Sequence, residues 1–354
     1  MNSDASLSNL IPAPSLRLSF DAGALADNWR AMDRLSGSAV AGAAVKADGY
    51  GTGVERVMPV LLDAGARYFF VAHWSEVPEV IAHADAHGIS VLHGPMTEAD
   101  TRFALASGVR PVINSMAQAV RWGAAGGGAC DLMVDTGMNR LGVRPEELAD
   151  PAIRALDIEV LMSHLACADE DSAMNARQCA AFREVTAMIP HRRASLANSA
   201  GIALGSDYHF DLTRPGLALY GGTARAEAEG LVRQVITPEA AIIQIHDLPA
   251  GESIGYGATF TAPHDMRVAI LSLGYADGYL RCWSGEGIFT AADGAQLPVL
   301  GRVSMDMTAV DVTAVPHLRE GDWLRAQYDL AQASQATGLT QYELLTLSGP
   351  RLRG

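Results

Sequence analysis

From position 40 to position 220 the chain alternates short apolar runs with longer amphipathic stretches. The runs lie at 40–46, 68–73, 89–93, 110–114, 130–135, 158–164, 193–198 and 217–220. They carry β-branched and aromatic residues and stay apolar through consecutive positions, which predicts strands buried on both faces. Between them, stretches such as 54–64, 75–86 and 174–188 repeat their apolar residues at helical spacing. Eight such alternations predict a (β/α)8 barrel of the TIM type rather than an open doubly wound sheet. No G-x-G-x-x-G follows the first run, which weakens a dinucleotide-binding alternative.

After about position 238 the texture changes. Segments 240–246, 266–273, 297–303 and 307–312 read as strands, with Gly- and Pro-containing turns between them. Helical periodicity returns at 341–347. The expected division is a (β/α)8 barrel over 15–238 and a mostly-β C-terminal domain over 239–354. The extended segment 15–20 is a candidate to join the sheet of the second domain.

Composition narrows the class. With 354 residues, 49% of them hydrophobic and 19% charged, the chain can bury a large core. A formal charge of −14 argues against nucleic acid or an anionic membrane as partner. The cysteines, Cys130, Cys167, Cys179 and Cys282, form no C-x-x-C pair and read as reduced thiols, with no metal site expected. No signal peptide and no membrane-length apolar segment is apparent, so the expectation is a soluble, cytoplasmic protein.

One residue stands apart. Of the 26 basic residues only Lys46 is a lysine. Guanidinium can replace an amine as a surface charge but not as a nucleophile, because it keeps its proton. An amine can deprotonate and form an imine with a carbonyl. Lys46 ends the first apolar run, and other polar residues also stand at run ends: Asp135 at the fifth, His164 at the sixth, Asn198 and Ser199 at the seventh. Arg214 precedes the eighth. In a barrel of this type, reactive groups gather at the C-terminal rim and phosphate is commonly held after strands seven and eight. Ser199 and the backbone N–H groups of Gly216 and Leu217 suit a phosphate. A reactive lysine plus a phosphate site implies pyridoxal 5′-phosphate. A Schiff-base aldolase acting on a sugar phosphate without that cofactor uses the same two features and stays open at this point.

The sequence 44–51, Ala-Val-Lys-Ala-Asp-Gly-Tyr-Gly, resembles the cofactor-lysine signature of bacterial alanine racemases. Further matches follow in that family's order: Asp-Thr-Gly-Met-Asn-Arg-Leu-Gly at 135–142, Ser163-His164, Asn198-Ser199, and Arg-Pro-Gly-Leu-Ala-Leu-Tyr-Gly at 214–221. The β-rich part adds Gly-Tyr-Ala-Asp-Gly at 274–278, Gly-Arg-Val-Ser-Met-Asp at 301–306, and Tyr342-Glu343. The resemblance covers nearly the whole chain.

The resemblance implies a homodimer whose active sites are shared between subunits and whose substrate is a small amino acid. It implies that Lys46 holds pyridoxal 5′-phosphate covalently and acts as base on one face of the substrate α-carbon. Tyr275, contributed by the other subunit, is implied as acid/base on the opposite face, helped by His164, which bridges it to Arg214. Arg214 is implied to face the cofactor's ring nitrogen. Tyr50, Ser199, Tyr342, Gly216 and Leu217 are implied at the phosphate, with Asn198 beside them. Arg140 and the backbone N–H of Met305 are implied at the substrate carboxylate.

One position departs from the pattern. Many family members carry a carbamylated lysine where this chain has Met133, so Arg140 needs another means of orientation; the adjacent Asn139 is one candidate. Competing expectations are a racemase of another small amino acid such as serine, and a non-catalytic protein of cofactor homeostasis on a related barrel. The second lacks a β domain, which the region after 238 opposes. A fold-related decarboxylase needs an acidic partner for the ring nitrogen, and Arg214 occupies that place.

Overall fold

In the computed structural model, which describes residues 12–353, the chain forms two units. One comprises Asp21–Val235; the other combines the strand Leu16–Phe20 with the chain from Ile236 onward.

The first unit is a parallel barrel with helices on its outside. Strands Ala43–Ala44, Phe69–Val71, Ile89–Val91, Arg110–Ile113, Ala129–Met133, Asp157–Met162 and Arg193–Ser195 pair in sequence order, all parallel. Closure rests on Leu212–Thr213, which pairs in parallel with Val40–Ala41 and is tied on its other side by the Arg214 N–H to the Ala197 carbonyl (2.8 Å). Gly42 makes this junction possible. Its N–H donates to Thr213 of the last strand, while the next N–H, on Ala43, donates to Tyr68 of the second. A Cβ on Gly42 would stand 2.8 Å from the Phe70 ring and 2.9 Å from the Tyr68 carbonyl, so only glycine lets the first strand serve both neighbours.

Two sequence expectations need correction. Segment 217–220 is not the eighth strand but a short 3-10 helix, Leu217–Tyr220, bracketed by Gly216 and Gly221. Its four residues are all buried, and an unbroken apolar run reports burial without specifying backbone conformation. The eighth strand is the two-residue Leu212–Thr213, so Arg214 follows that strand and stands at its C-terminal end. The helix read over 75–86 is shorter, Val77–Ile81, because Asp85 leaves the helical path to cap a separate turn at Ala86–Gly88. Helices Val54–Ala64 and Ala173–Met188 form as the periodicity predicts.

The barrel core is not wholly apolar. Asp131 is fully buried; it accepts from Arg110 Nε (3.0 Å), Ser90 Oγ (2.5 Å) and the Val160 N–H (3.2 Å). Burial pushes the Asp131 carboxyl up, while Arg110 and the hydrogen bonds favour its ionised form. Breaking a buried pair from one side strands the other charge. Arg110→Met is therefore expected to destabilise the protein by about 3–5 kcal/mol in denaturant unfolding. A cost below about 1 kcal/mol, the level of a surface pair, would show that Asp131 is not charged in the native state.

The second unit is an antiparallel sheet of seven strands, Leu16–Phe20, Ile236–Leu248, Met266–Leu271, Thr308–Asp311, Gln296–Leu300, Ile288–Thr290 and Trp323–Ala326, in that spatial order. Ile236–Leu248 also pairs with Trp323–Ala326, which curls the sheet into a barrel. Besides Gln341–Thr346 this unit holds a helix at Leu330–Thr337 that the sequence pattern did not reveal. Among the described residues, no helix is long and apolar enough to cross a membrane.

Candidate active site

Lys46 stands two residues beyond the first barrel strand, half-buried, at the start of an unusual turn. Ala47, Asp48, Gly49 and Tyr50 all have left-handed backbone, with φ of 54°, 53°, 59° and 54°. Three of them carry side chains, and each such residue costs roughly 1–2 kcal/mol in this region. The turn is held by dense bonding. The Gly49 N–H reaches the Val45 carbonyl (2.8 Å), the Gly51 N–H reaches Ala47 (2.9 Å), and Asp48 Oδ1 accepts from Val54 (2.7 Å). Glu76, from the loop after the second strand, accepts the Ala47 N–H (2.5 Å).

Burial, followed by the positive charges of Arg140 and Arg214, lowers the pKa of the Lys46 amine, and Glu76 partly offsets them. Desolvation of this kind frees an amine for nucleophilic and basic work. The same interactions gather the barrel residues singled out in the sequence. His164, two residues past the sixth strand, feels Arg214, Arg140 and Lys46. Arg214 is buried, and its guanidinium donates to Ser195 Oγ (2.5 Å) and to the Ser163 carbonyl (2.6 Å). Among the described residues Arg214 makes no side-chain hydrogen bond to His164.

Burial first, then those cations, push His164 down to about 3. The folded ring is therefore neutral at neutral pH, while in the unfolded chain it takes a proton below its ordinary value of 6.5. Between those values the unfolded state binds more protons, so stability falls as pH drops from about 6.5 toward 3. The slope from this group is at most about 1.4 kcal/mol per pH unit, less whatever the solvent-reached edge of the ring recovers. His164→Gln is expected to flatten that part of the unfolding profile. An unchanged slope would show that the histidine is protonated in the fold.

A second cluster lies at the ends of strands seven and eight. Asn198 Oδ1 caps the short helix Ser199–Ala203 by accepting the Gly201 N–H (2.8 Å). Ser199 Oγ collects the N–H groups of Gly216 (2.9 Å) and Ala218 (3.2 Å). Tyr50 stacks on Tyr220, ring centroids 4.7 Å apart, and brings its hydroxyl so close to Gly216 that a Cβ there would lie 2.2 Å from it. Hydroxyls and backbone N–H groups thus converge on one spot beside an apolar wall. This donor set suits a phosphate dianion and contains no carboxylate that would repel it.

Arg140 is exposed, on the loop that follows the fifth strand. That loop closes back on its own strand. Asp135 N–H donates to the Val143 carbonyl, Val143 N–H donates to Met133, and a Cβ on Gly142 would stand 2.7 Å from Asp135 N. Asp135 Oδ1 also accepts from Gly137 (2.8 Å) and Asn139 (3.1 Å). Asn139 points its amide at the Gly137 carbonyl (3.3 Å), so it serves the loop and is not the partner of Arg140. Met133 is buried, and the hydrogen bonds of this loop fix the backbone that carries the exposed Arg140.

In the β unit, Tyr275 opens the short helix Tyr275–Asp277. Its N–H donates to the Ser304 carbonyl (3.0 Å), and the next, of Ala276, donates to Met305 (3.0 Å). A Cβ on Gly274 would lie 2.4 Å from both of those carbonyls, so the Tyr275 and Met305 loops touch backbone to backbone. Both side chains are exposed, 38% and 53%. Tyr342, also exposed, stands on the helix Gln341–Thr346. Arg351 pairs with both Asp277 (2.8 Å), which ends the Tyr275–Asp277 helix, and Asp306 (2.9 Å), a contact across distant sequence that no local motif signals.

Known proteins resemble this chain over nearly its whole length. Residues 20–224 match the family model "Alanine racemase, N-terminal domain", and residues 235–354 match "Alanine racemase, C-terminal domain". The chain is 44% identical to an alanine racemase of Rhizobium meliloti, over 95% of both chains. It is 43% identical to a biosynthetic alanine racemase of Agrobacterium fabrum, over 95% of this chain and 92% of that one. The crystal structure of alanine racemase from Bartonella henselae with covalently bound pyridoxal phosphate superposes with a TM-score of 0.87 at 33% identity, covering 97% of this chain and 99% of that one. The chain belongs to the alanine racemase family.

Proposed function

We propose that this protein interconverts L- and D-alanine with pyridoxal 5′-phosphate, using Lys46 and Tyr275 as bases on opposite faces of the substrate. The observation that carries the reading is the sole lysine of the chain, partly desolvated beside Arg140 and Arg214 at the rim of a parallel barrel. The barrel residues fit the cofactor: Lys46 would hold its aldehyde, and Ser199, Tyr50 and the amides of Gly216 and Leu217 its phosphate, with Asn198 fixing the helix that carries Ser199. Tyr342 of a β unit would add a further hydroxyl. Arg214 would face the ring nitrogen, held by Ser195 and Ser163 rather than by His164. When bound, pyridoxal phosphate supplies an electron sink that acidifies the α-hydrogen of an attached amino acid.

The work of the chain's own residues is proton transfer and orientation. Inversion requires that a proton leave one face of a planar carbon and another arrive on the opposite face. The Lys46 amine serves one face. The Tyr275 hydroxyl of the partner subunit serves the other, in a homodimer with shared active sites. Arg140 and the backbone N–H of Met305 would hold the substrate carboxylate and so fix which bond faces the two bases. Arg214 only donates hydrogen bonds, so it disfavours a protonated ring nitrogen. That limits carbanion lifetime and favours return of the proton to the same carbon, hence racemisation over transamination. Exposed Tyr275 and Tyr342 would narrow the entrance and favour a methyl side chain. The β unit and Arg214 favour this reading over a homeostasis protein or a decarboxylase.

The test is direct. Purified protein is mixed with each L-amino acid, and the D-enantiomer formed is measured by chiral chromatography. Alanine should be the fastest substrate; serine outrunning alanine, or no D-product from any amino acid, would overturn the reading.

A further inference from the structure

We propose that Glu76 is a positioning residue for the reaction, a latch that holds the left-handed turn after Lys46 and thereby aims its amine. The inference rests on the reading of Lys46 as the group that carries the cofactor.

Glu76 ends a three-residue 3-10 helix, Trp74–Glu76, in the loop after the second barrel strand. One carboxylate oxygen does local work: Oε2 accepts the N–H groups of Ala72 (2.7 Å) and His73 (2.9 Å), capping the turn on which Glu76 itself sits. The other does not. Oε1 accepts the N–H of Ala47, the residue directly after Lys46 and 29 positions away in sequence. A side chain needed only to cap its own turn has no use for that second contact.

Ala47 is the first residue of the left-handed run, and its φ of 54° is one that an L-residue with a Cβ avoids. Other bonds of the turn are local, from the Gly49 N–H to Val45, from the Gly51 N–H to Ala47 and from the Val54 N–H to Asp48. Glu76 supplies the clamp on Ala47 from another strand of the barrel. Released, Ala47 is free to relax toward negative φ, and that rotation swings the Lys46 side chain with it. The carboxylate also contributes a nearby negative charge that favours the protonated amine, so it touches both the geometry and the protonation of Lys46. Asp48, Gly49 and Tyr50 continue the same turn, and Tyr50 brings its hydroxyl to Gly216, so the latch bears on both clusters of the site.

Three chains decide the matter: native holoenzyme, Glu76→Gln and Glu76→Ala. Gln keeps the volume and one acceptor oxygen, so it can satisfy Ala47 or the Ala72–His73 pair but not both. The expected order of kcat is native, then Gln, then Ala. Ala should fall by about 10²-fold, the scale of a reacting group displaced by an ångström, with KM for alanine changed far less. Hydrogen exchange at the peptide holding Ala47 should quicken in the same order, and cofactor should be lost more readily on gel filtration. A role confined to capping Trp74–Glu76 predicts something else: a lowered unfolding midpoint, with kcat per folded site and Ala47 exchange unchanged. That result overturns the proposal. Borohydride labelling of the native enzyme separates the two readings. If Lys46 takes no pyridoxyl label, the cofactor assignment falls, while exchange at Ala47 still decides whether Glu76 is the latch.

Discussion

Lys46→Arg should racemise alanine at least about 10³-fold more slowly than the native chain, the scale of losing a base that is also the covalent anchor. Borohydride should no longer fix any pyridoxyl group to the protein. Arginine keeps the positive charge and much of the length, so the electrostatics seen by Arg140, Arg214 and His164 change little. What disappears is the capacity to lose a proton and form an imine. In the native chain the same reagent should label one peptide only, the one containing 44–51, because no second lysine exists. Most proteins deny this experiment its clarity through a background of surface lysines. Label on another peptide, or native rates in the arginine variant, would remove Lys46 from the chemistry.

The reason Lys46 is legible from sequence is its rarity, and the reason the barrel is legible is burial on both faces. Strands such as Phe69–Val71 are fully buried, and a strand buried on both faces is mostly an apolar run. The rule has a limit that Leu217–Tyr220 exposes. A buried 3-10 turn gives the same signal, and it masks Leu212–Thr213, a closing strand too short to show any period. The displacement moves Arg214 from before the last strand to its C-terminal end, where rim residues of such barrels belong. Charged residues within the core, Arg110 and Asp131, interrupt otherwise apolar strands and could be flagged as paired, yet nothing local says they pair with each other across adjacent strands. Glu76 is harder still. Its contact with Ala47 joins the loops that follow the first two barrel strands, and the pairing of those strands, 29 residues apart at the contact, is what brings the loops together. Local pattern thus names the residues at the rim, while the bonds that orient them come from long-range pairing.

Tyr275→Phe removes one oxygen from a loop whose backbone is fixed independently of the phenol by Ser304, Met305, Asp277 and Arg351. Folding should be unaffected. Racemisation should fall by about 10²–10⁴-fold, the usual range for loss of a general acid or base. In deuterium oxide the variant should still exchange the α-hydrogen of one enantiomer, the one whose hydrogen faces Lys46, and return it without inversion. Equal exchange into both enantiomers would remove Tyr275 from its role. Mixing then tests whether the residue acts across subunits. Lys46→Ala and Tyr275→Phe should each retain at most about a hundredth of native activity alone. If one subunit supplies the lysine and the other the tyrosine, a hybrid dimer contains one doubly defective site and one native site, and random pairing of equal amounts should recover about a quarter of native activity. If both residues of a site come from the same chain, every site in the mixture lacks one base, and no activity returns.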